Sequence, residues 1–282
     1  MNKFFKNDGL DNLIREEEWK EKQRPITQHR EMMGKEQELK EKKIIELKEF
    51  LKSIAGKLKE EGVPIADDCR INIGFFNEKR FPKLKEDLER VNGWQEELEN
   101  KKINPEEQKE TAGEQLEMLK TAVFNKFMGK KFIVVRSSKI DDFDGGIDNV
   151  IMEKTTGNIV SAFDEVSDEE GEVFRKKASA VMDKNKLGTR LKYGLSIDPT
   201  SKRIIGQTIS NIPIFYLPLS KKNLEEAIKN FSTGEPSKNE EELFEKFMSS
   251  IFGQIKELYG RNDIPFRCKE KIKQFADDLK QI

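Results

Sequence analysis

The fold is decided by residues 145–166, which read GGIDNVIMEKTTGNIVSAFDEV. Two short apolar runs, 147–152 and 159–166, flank the polar turn EKTTGN. Short apolar runs bounded by turn residues are typical of β-strands. Gly157 can supply the positive φ angle that a tight turn needs. We therefore predict that two neighbouring strands form a hairpin here.

The segments before this hairpin predict a helix, a strand and a loop. Asn104 and Pro105 combine a capping residue with a proline at the first helical position. We expect that helix to end near residue 128, at a glycine. The run FIVVR at 132–136 then predicts a strand, and the acidic stretch IDDFDGG at 140–146 predicts a loop.

The segments after the hairpin predict one helix, several strands and a helical tail. The helix covers 170–186 and ends at Leu187-Gly188. The strand-like runs are LKYGLSI at 191–197, RIIGQTI at 203–209 and NIPIFYLPL at 211–219. Prolines in the last run favour a sheet edge or a strand end. The tail from 221 is predicted to be helical, with a break at STGEPSKN.

The amino-terminal part is predicted to be mainly helical. Apolar residues recur at helical spacing over residues 10–62 and again over 79–102. The fold class expected for the chain is α+β, with a three-layer α/β/α-like arrangement. Its central mixed sheet would have about five strands with flanking helices. The expected domains are a helical module at 1–103, an α/β domain at 104–220, and carboxy-terminal helices at 221–282 packed on that domain.

Composition excludes several classes of function. The 282 residues include one histidine, His29, and two cysteines, so neither a histidine-rich metal site nor a zinc site built on cysteines can form. No Gly-rich phosphate-binding motif occurs. The longest apolar run, at 212–219, is far too short to span a bilayer. We expect a cytoplasmic protein without membrane association, and a net charge of −1 gives no global attraction to a polyanion.

Carboxylates must therefore carry any metal chemistry. Acidic residues concentrate in one segment: Asp141, Asp142, Asp144, Asp148, Glu153, Asp164, Glu165, Asp168, Glu169 and Glu170. Asp148, Asp164 and Glu165 stand out because they lie within the apolar strands, where a carboxylate is costly to bury. Alternation along a strand places Asp164 and Glu165 on opposite faces, so only one of them should join Asp148. Together they would bind a hard divalent cation, Mg²⁺ or Mn²⁺.

A basic run follows directly. Between residues 175 and 192, seven basic residues accompany a single acid. Lysines and arginines hold nucleic-acid phosphates, so nucleic acid is the expected partner, contacted through Arg175, Lys176, Lys177 and Arg190. The alternative is a solvated helix face that binds nothing.

Over about residues 110–220 the chain resembles the PD-(D/E)XK, or restriction-endonuclease-like, nuclease superfamily. The resemblance rests on the order helix, three-stranded meander, helix and two strands, and on the acids of GGIDNVIMEKTTGNIVSAFDEV. It implies that Asp148 is the first metal-binding acid and Asp164 the second. Glu117 in the preceding helix would be a third ligand, with Glu114 one turn away as its alternative.

The resemblance departs from the family pattern at the lysine. That lysine should follow the second acid by two residues, where this chain has Val166. If Glu165 is the second acid, the position is Ser167. Lys177 or Lys192 could supply the amine from another element, and Lys192 is the first choice because it lies between two apolar strand residues.

The resemblance implies a Mg²⁺- or Mn²⁺-dependent nuclease that hydrolyses phosphodiester bonds of DNA or RNA, with Asp148, Asp164, Glu165 and Lys192 as catalytic residues. Two alternatives remain open. One is an inactive nuclease fold that binds nucleic acid or a protein, and the other is a helical scaffold whose β domain is structural. The long amino-terminal helices also permit a homodimer.

Overall fold

A computed structural model describes residues 8–101, 111–166 and 168–281, with side chains described from residue 33 except at 95 and 98–101. Helices combine with a four-stranded mixed sheet and a two-stranded sheet, which confirms the predicted α+β class. The chain divides into two compact units, Met1–Lys43 and Ile44–Ile282. The division into 1–103, 104–220 and 221–282 stays a prediction.

The first helices agree with the periodicity of the sequence. Helix α1 spans Asp8–Glu60, α2 spans Leu84–Lys101 and α3 spans Ala112–Met128. The predicted helix start at Asn104-Pro105 lies outside the described residues. Between α1 and α2, a buried turn contains the short 3₁₀ helix Ile73–Phe75.

The main sheet contains four strands in the order β1-β2-β3-β6. The six strands of the described chain are β1 (Phe132–Arg136), β2 (Asn149–Glu153), β3 (Ile159–Val166), β4 (Arg190–Ile197), β5 (Ile204–Ser210) and β6 (Ile214–Pro218). The first three form an antiparallel meander, as the hairpin pattern predicts, and β6 is parallel to β3. The mixed character of the sheet arises from this last pairing.

The main sheet has four strands, one fewer than the approximate number predicted. Strands β4 and β5 pair with each other and form a separate sheet. Strand β6 occupies the edge of β3 that the next strand along the chain would otherwise take. A period-two pattern identifies a strand, but the partner depends on which distant segment closes on the edge.

The predicted acidic loop at 140–146 is instead a short helix, α4 (Lys139–Gly145). The Ser138 hydroxyl accepts a hydrogen bond from the Asp141 amide, 3.0 Å away, and so caps the helix. Asp141 and Asp142 lie in the first turn, where the helix dipole favours negative charge. The helix ends at Gly146, whose φ of +54° favours glycine.

The remaining helices cover the sheet. They are α5 (Gly171–Leu187), α6 (Lys221–Lys229), α7 (Lys238–Gly260) and α8 (Phe266–Leu279). The break predicted at STGEPSKN separates α6 from α7, and a second break before Pro265 was not predicted. Phe124 of α3 stacks on Phe163 of β3 and Phe247 of α7, with ring centroids 5.2 and 5.8 Å away. No helix in the described part of the chain combines the length and apolarity needed to cross a bilayer.

Candidate metal centre

Three carboxylates converge where α3, α4 and the start of β2 meet. Glu117, Asp142 and Asp148 each offer an oxygen, and these oxygens all lie within 4.8 Å of one another. Glu117 and Asp148 are buried, and Asp142 is half-buried. Hard divalent cations prefer carboxylate oxygens. The cluster can therefore hold a metal ion.

The backbone holds Asp148 firmly. The turn at Gly146 brings the chain back to the sheet, and buried Ile147 follows it. The Asp148 amide donates to the Phe163 carbonyl at 2.9 Å, and the Ser137 amide donates to the Asp148 carbonyl at 2.8 Å. Both bonds tie the residue into the meander, so its carboxylate position follows from the strand register.

Glu165 contacts Asp148 through its backbone. Its amide donates to Asp148 Oδ2 at 2.5 Å. Its own side chain is buried, and Oε1 has no hydrogen-bond donor within the described residues. The nearest cation is Lys120 Nζ, 3.6 Å from Glu165 Oε1. A buried carboxylate oxygen without a donor needs a proton, a water or a cation.

Lys120 is a fully buried lysine of α3, and its Nζ donates to the Leu217 carbonyl at 3.0 Å. Sequence reasoning overlooked it, although the stretch LEMLKTAVF at 116–124 carried a signal. Six of its nine residues are apolar and lie on several sides of the helix, which is typical of a buried helix. A lysine in the middle of such a helix must be buried as well.

Burial and crowding of negative charge shift the titration of these groups. Burial raises the pKa of Asp148 to about 7, and the charges of Asp164, Glu117 and Asp142 add to the effect. Burial also raises the pKa of Glu165 well above its usual range, although Lys120 opposes the shift. Burial lowers the pKa of Lys120 against the attraction of the acids around it. A cation at the cluster would relieve the repulsion among the carboxylates.

Two buried arginines already contact the cluster. Arg70 Nη2 donates to Glu117 Oε2 at 2.7 Å, and Arg70 Nη1 donates to Asp142 Oδ2 at 3.0 Å. Arg136 donates to the same Glu117 oxygen through Nε at 2.8 Å and Nη2 at 2.5 Å. Neither arginine was predicted. The signal for Arg136 was a cation ending the apolar strand FIVVR, whereas Arg70 comes from a segment 47 residues before Glu117.

Asp164 was predicted as the second metal ligand, but it is not among the three converging carboxylates. It is 1% exposed and accepts from Lys177 Nζ and Lys184 Nζ of α5, each at 2.8 Å. Strand alternation explains why Asp164 and Glu165 have different partners. The expectation that only one of the two carboxylates joins Asp148 stays a prediction, because Glu165 contacts Asp148 through its amide and the charge of Asp164 also acts on Asp148.

Lys192, the lysine favoured from the sequence, lies elsewhere. Its Nζ pairs with Asp87 of α2, and its amide donates to Asp141 Oδ1 at 2.6 Å. The Tyr193 hydroxyl donates to the same Asp87 oxygen as the Lys192 amine. The lysine amine beside Glu165 is that of Lys120.

Most of the predicted basic run is neutralised by acids. Lys176 pairs with Glu172 at 2.7 Å, and Lys177 pairs with Asp164. The pKa of Lys177 is raised, because the hydrogen bond and charge of Asp164 outweigh the opposing effect of burial. In the described structure, Arg175 and Arg190 are exposed and form no salt bridge. Contact of this run with nucleic acid stays a prediction.

Comparison of the chain with protein-family models, with curated proteins and with solved structures gave no match. The function is therefore argued from the site itself.

Proposed function

We propose that this protein is a metal-dependent nuclease that hydrolyses phosphodiester bonds in DNA or RNA. The observation that carries the proposal is the convergence of Glu117, Asp142 and Asp148 within 4.8 Å. Glu165 Oε1, which accepts no hydrogen bond within the described residues, lies 3.6 Å from the amine of Lys120. The charges of Asp148 and Glu117 act on Glu165 as well. Carboxylates and an amine in one buried site are the groups that phosphodiester hydrolysis with a divalent cation uses.

The topology supports the proposal. Helix α3, the meander β1-β2-β3 and helix α5 follow the first part of the element order on which the resemblance to the PD-(D/E)XK superfamily was based. The next two strands, β4 and β5, form a separate sheet, and β6 joins the main sheet beside β3. The Glu165 backbone amide donates to Asp148 Oδ2, and the charge of Asp164 also acts on Asp148. Under the proposal Glu165 replaces Asp164 as the second acid, and Lys120 of α3 replaces the lysine missing from β3.

The donor set fits Mg²⁺ or Mn²⁺, which prefer oxygen ligands. Such an ion would polarise a phosphoryl oxygen and lower the pKa of a water. Glu117, Asp142 and Asp148 would hold it. Glu165 Oε1 can accept a hydrogen bond from a water, since no donor within the described chain occupies it. The charge of Lys120 opposes the burial that favours the protonated form of Glu165.

One observation favours a second candidate, an inactive nuclease fold that binds nucleic acid or a protein. Arg70 and Arg136 already place two positive charges against Glu117, and Arg70 also contacts Asp142. Buried guanidinium groups can neutralise carboxylates in place of a metal ion. Metal binding and cleavage must therefore be measured separately.

The first measurement is calorimetry with Mn²⁺ and Mg²⁺ on the wild type, Asp148→Ala and Glu165→Gln. Asp183→Ala is the matched control, because Asp183 is an exposed acid of α5. We expect Asp148→Ala and Glu165→Gln to bind the cation more weakly than the wild type, and Asp183→Ala to bind it equally well. Equal binding by wild type and Asp148→Ala would remove the metal site.

The second measurement is cleavage of labelled DNA and RNA in Mg²⁺, in Mn²⁺ and in EDTA. We expect cleavage only with a divalent cation, and its loss in Asp148→Ala. Cation binding without cleavage of either nucleic acid would reject the nuclease and favour the inactive fold.

A further inference from the structure

Two hollows lie on either side of Phe75, one toward the turn that follows the 3₁₀ helix and strand β5, the other toward the end of α1, the main sheet and the β4–β5 turn. One has a volume of about 570 Å³ and the other about 640 Å³. Phe75 and Ile204 border both. We call this region the hairpin surface, after the β4–β5 hairpin that borders it. It comprises Phe75, Lys79, Arg80, Lys202, Arg203 and Ile204.

The cations of the hairpin surface are free of acidic partners. Lys79, Arg80, Lys202 and Arg203 are exposed, and within the described ranges none of them lies within salt-bridge distance of a carboxylate. This contrasts with α5, where Lys177 is neutralised by Asp164. The hairpin surface thus has four exposed cations without a salt bridge in the described structure.

Three acids lie near the hairpin surface, and in the described structure none is within salt-bridge distance of its four cations. Glu61 lines the larger hollow, and Glu78 is exposed next to Lys79 in sequence. Asp198 accepts from the amides of Ser201 at 2.6 Å and Thr200 at 3.0 Å within its own turn. These amides, and more weakly the charge of Arg80, lower the pKa of Asp198.

An aromatic ring stands among the cations on a rigid support. Phe75 is 48% exposed, and its ring meets buried Phe76 edge-on at 6.1 Å. Phe76 packs in turn on Phe81 and Tyr193, at 4.9 and 5.1 Å. A Cβ atom at Gly206 would lie 2.3 Å from the Phe76 ring, which shows how closely β5 approaches this segment. The support beneath Phe75 cannot easily shift.

We propose that the hairpin surface binds single-stranded nucleic acid, with a base stacked on Phe75 and phosphates on the four cations. An exposed aromatic ring flanked by cations is the arrangement that recognises single strands. A duplex keeps its bases stacked inside and cannot use Phe75. The choice of nucleic acid over another polyanion rests on the proposed nuclease function.

The hairpin surface is near the metal centre along the chain. Arg70 contacts Glu117 of the cluster, and Phe75 follows five residues later. Five residues span at most about 18 Å even when fully extended. A single-stranded nucleic acid bound to the hairpin surface would therefore lie within a few nucleotides' length of the carboxylates of the metal centre.

The test is fluorescence anisotropy with labelled 12-nucleotide single strands of DNA and RNA, in EDTA and at three salt concentrations. The variants are Phe75→Ala and Lys202→Ala/Arg203→Ala. The control is Lys221→Ala/Lys222→Ala, which removes the same charge from an exposed pair on α6. Circular dichroism confirms that each variant is folded.

We expect Phe75→Ala to weaken binding about fivefold or more at every salt concentration. The Lys202/Arg203 variant should weaken binding and reduce the log–log salt slope by about 1.4, or about 0.7 for each phosphate that is no longer neutralised. The control should bind like the wild type.

Three results would overturn the proposal: unchanged affinity in both variants, equal loss in the control, or a duplex or acidic peptide that competes as well as the single strand. Because binding is measured without a divalent cation, it does not depend on catalysis. Failure of the metal centre would appear as absent cleavage with single-strand binding intact.

Discussion

At the scale of single residues, Lys120 connects helix α3 to the acidic site. It is fully buried between the Leu217 carbonyl and Glu165 Oε1. Among the described residues, Lys120 is the only lysine within salt-bridge distance of Glu165. Removing one partner of a buried ion pair leaves the other without compensation.

We therefore expect Lys120→Met to destabilise the protein by about 3 kcal/mol at pH 8. Without Lys120 the pKa of Glu165 rises further, so the native state holds a proton that the unfolded chain releases. Stability then falls as pH rises above the ordinary glutamate pKa of about 4.3, and the cost at pH 5 is small. Urea unfolding at both pH values measures this.

The double variant Lys120→Met/Glu165→Gln is the control, because it also removes the Glu165 carboxylate that Lys120→Met leaves unpaired. It should recover much of the loss at pH 8. If the single variant costs the same at both pH values and Glu165→Gln gives no recovery, the pairing of Lys120 with Glu165 is not what stabilises the site.

Asp148 predicts a second pH dependence. Its pKa is raised from 3.8 to about 7, so between these values the native carboxyl keeps a proton that the unfolded chain has lost. In EDTA, stability should fall as pH rises through this window and level off above it. Asp148→Asn removes this contribution and should be more stable than the wild type at pH 8, by up to about 4 kcal/mol.

Thermal unfolding in EDTA at pH 5 and pH 8 distinguishes Asp148→Asn from the control Asp183→Asn. The control should keep the pH profile of the wild type. An identical profile for Asp148→Asn would show that Asp148 does not titrate in this window. Adding Mg²⁺ at pH 8 should stabilise the wild type but not Asp148→Asn, because the ion favours the ionised carboxyl.

At the scale of elements, strand β5 depends on a glycine. A Cβ at Gly206 would lie 2.3 and 2.4 Å from two carbons of the Phe76 ring, which is buried. Overpacking a closely packed contact costs typically about 1–3 kcal/mol. We expect Gly206→Ala to destabilise by that amount and to weaken single-strand binding, because the segment carrying Phe75 must move.

Gly253→Ala is the matched control for Gly206→Ala. Gly253 lies on α7, and the methyl group that alanine would add there has no neighbouring atom within 4 Å. Alanine favours a helix over glycine by up to about 1 kcal/mol, so this variant should be stabilised. Chemical denaturation measures both, and a neutral Gly206→Ala would contradict the close packing of β5 on Phe76.

The elements also show what the sequence can and cannot predict. Local patterns identified β2, β3 and Asp148, because short apolar runs and a turn residue act over a few positions. The pairing of β6 with β3 and the contact of Arg70 with Asp142, 72 residues away, depend on distant segments meeting. Helix α4 was mistaken for a loop because the cap at Ser138 was overlooked.

At the scale of the whole molecule, the compact unit Ile44–Ile282 contains the metal centre and the hairpin surface. The hydrophobic core of the described chain begins at Ile44. We expect a chain of residues 44–282 to fold with the unfolding midpoint and cation affinity of the full chain. Calorimetry measures both quantities, and a lower midpoint would show that residues 1–43 stabilise the unit.

The same truncation tests the predicted homodimer. If the amino-terminal helix mediates it, sedimentation should show a dimer for the full chain and a monomer for residues 44–282. If the full chain and residues 44–282 have the same oligomeric state, residues 1–43 do not mediate a dimer.

The position of Arg70 in the chain has a consequence for the order of folding. Its segment pairs with β1, where the Ile71 amide donates to the Arg136 carbonyl at 3.0 Å and the Arg136 amide donates to the Cys69 carbonyl at 2.9 Å. During synthesis Arg70 leaves the ribosome before Glu117, Asp142 and Asp148. The carboxylates that repel one another therefore gather in the presence of a guanidinium that the nascent chain already contains. Had both Arg70 and Arg136 lain beyond the meander, the β2–β3 hairpin would have had to close before any guanidinium could reach these carboxylates.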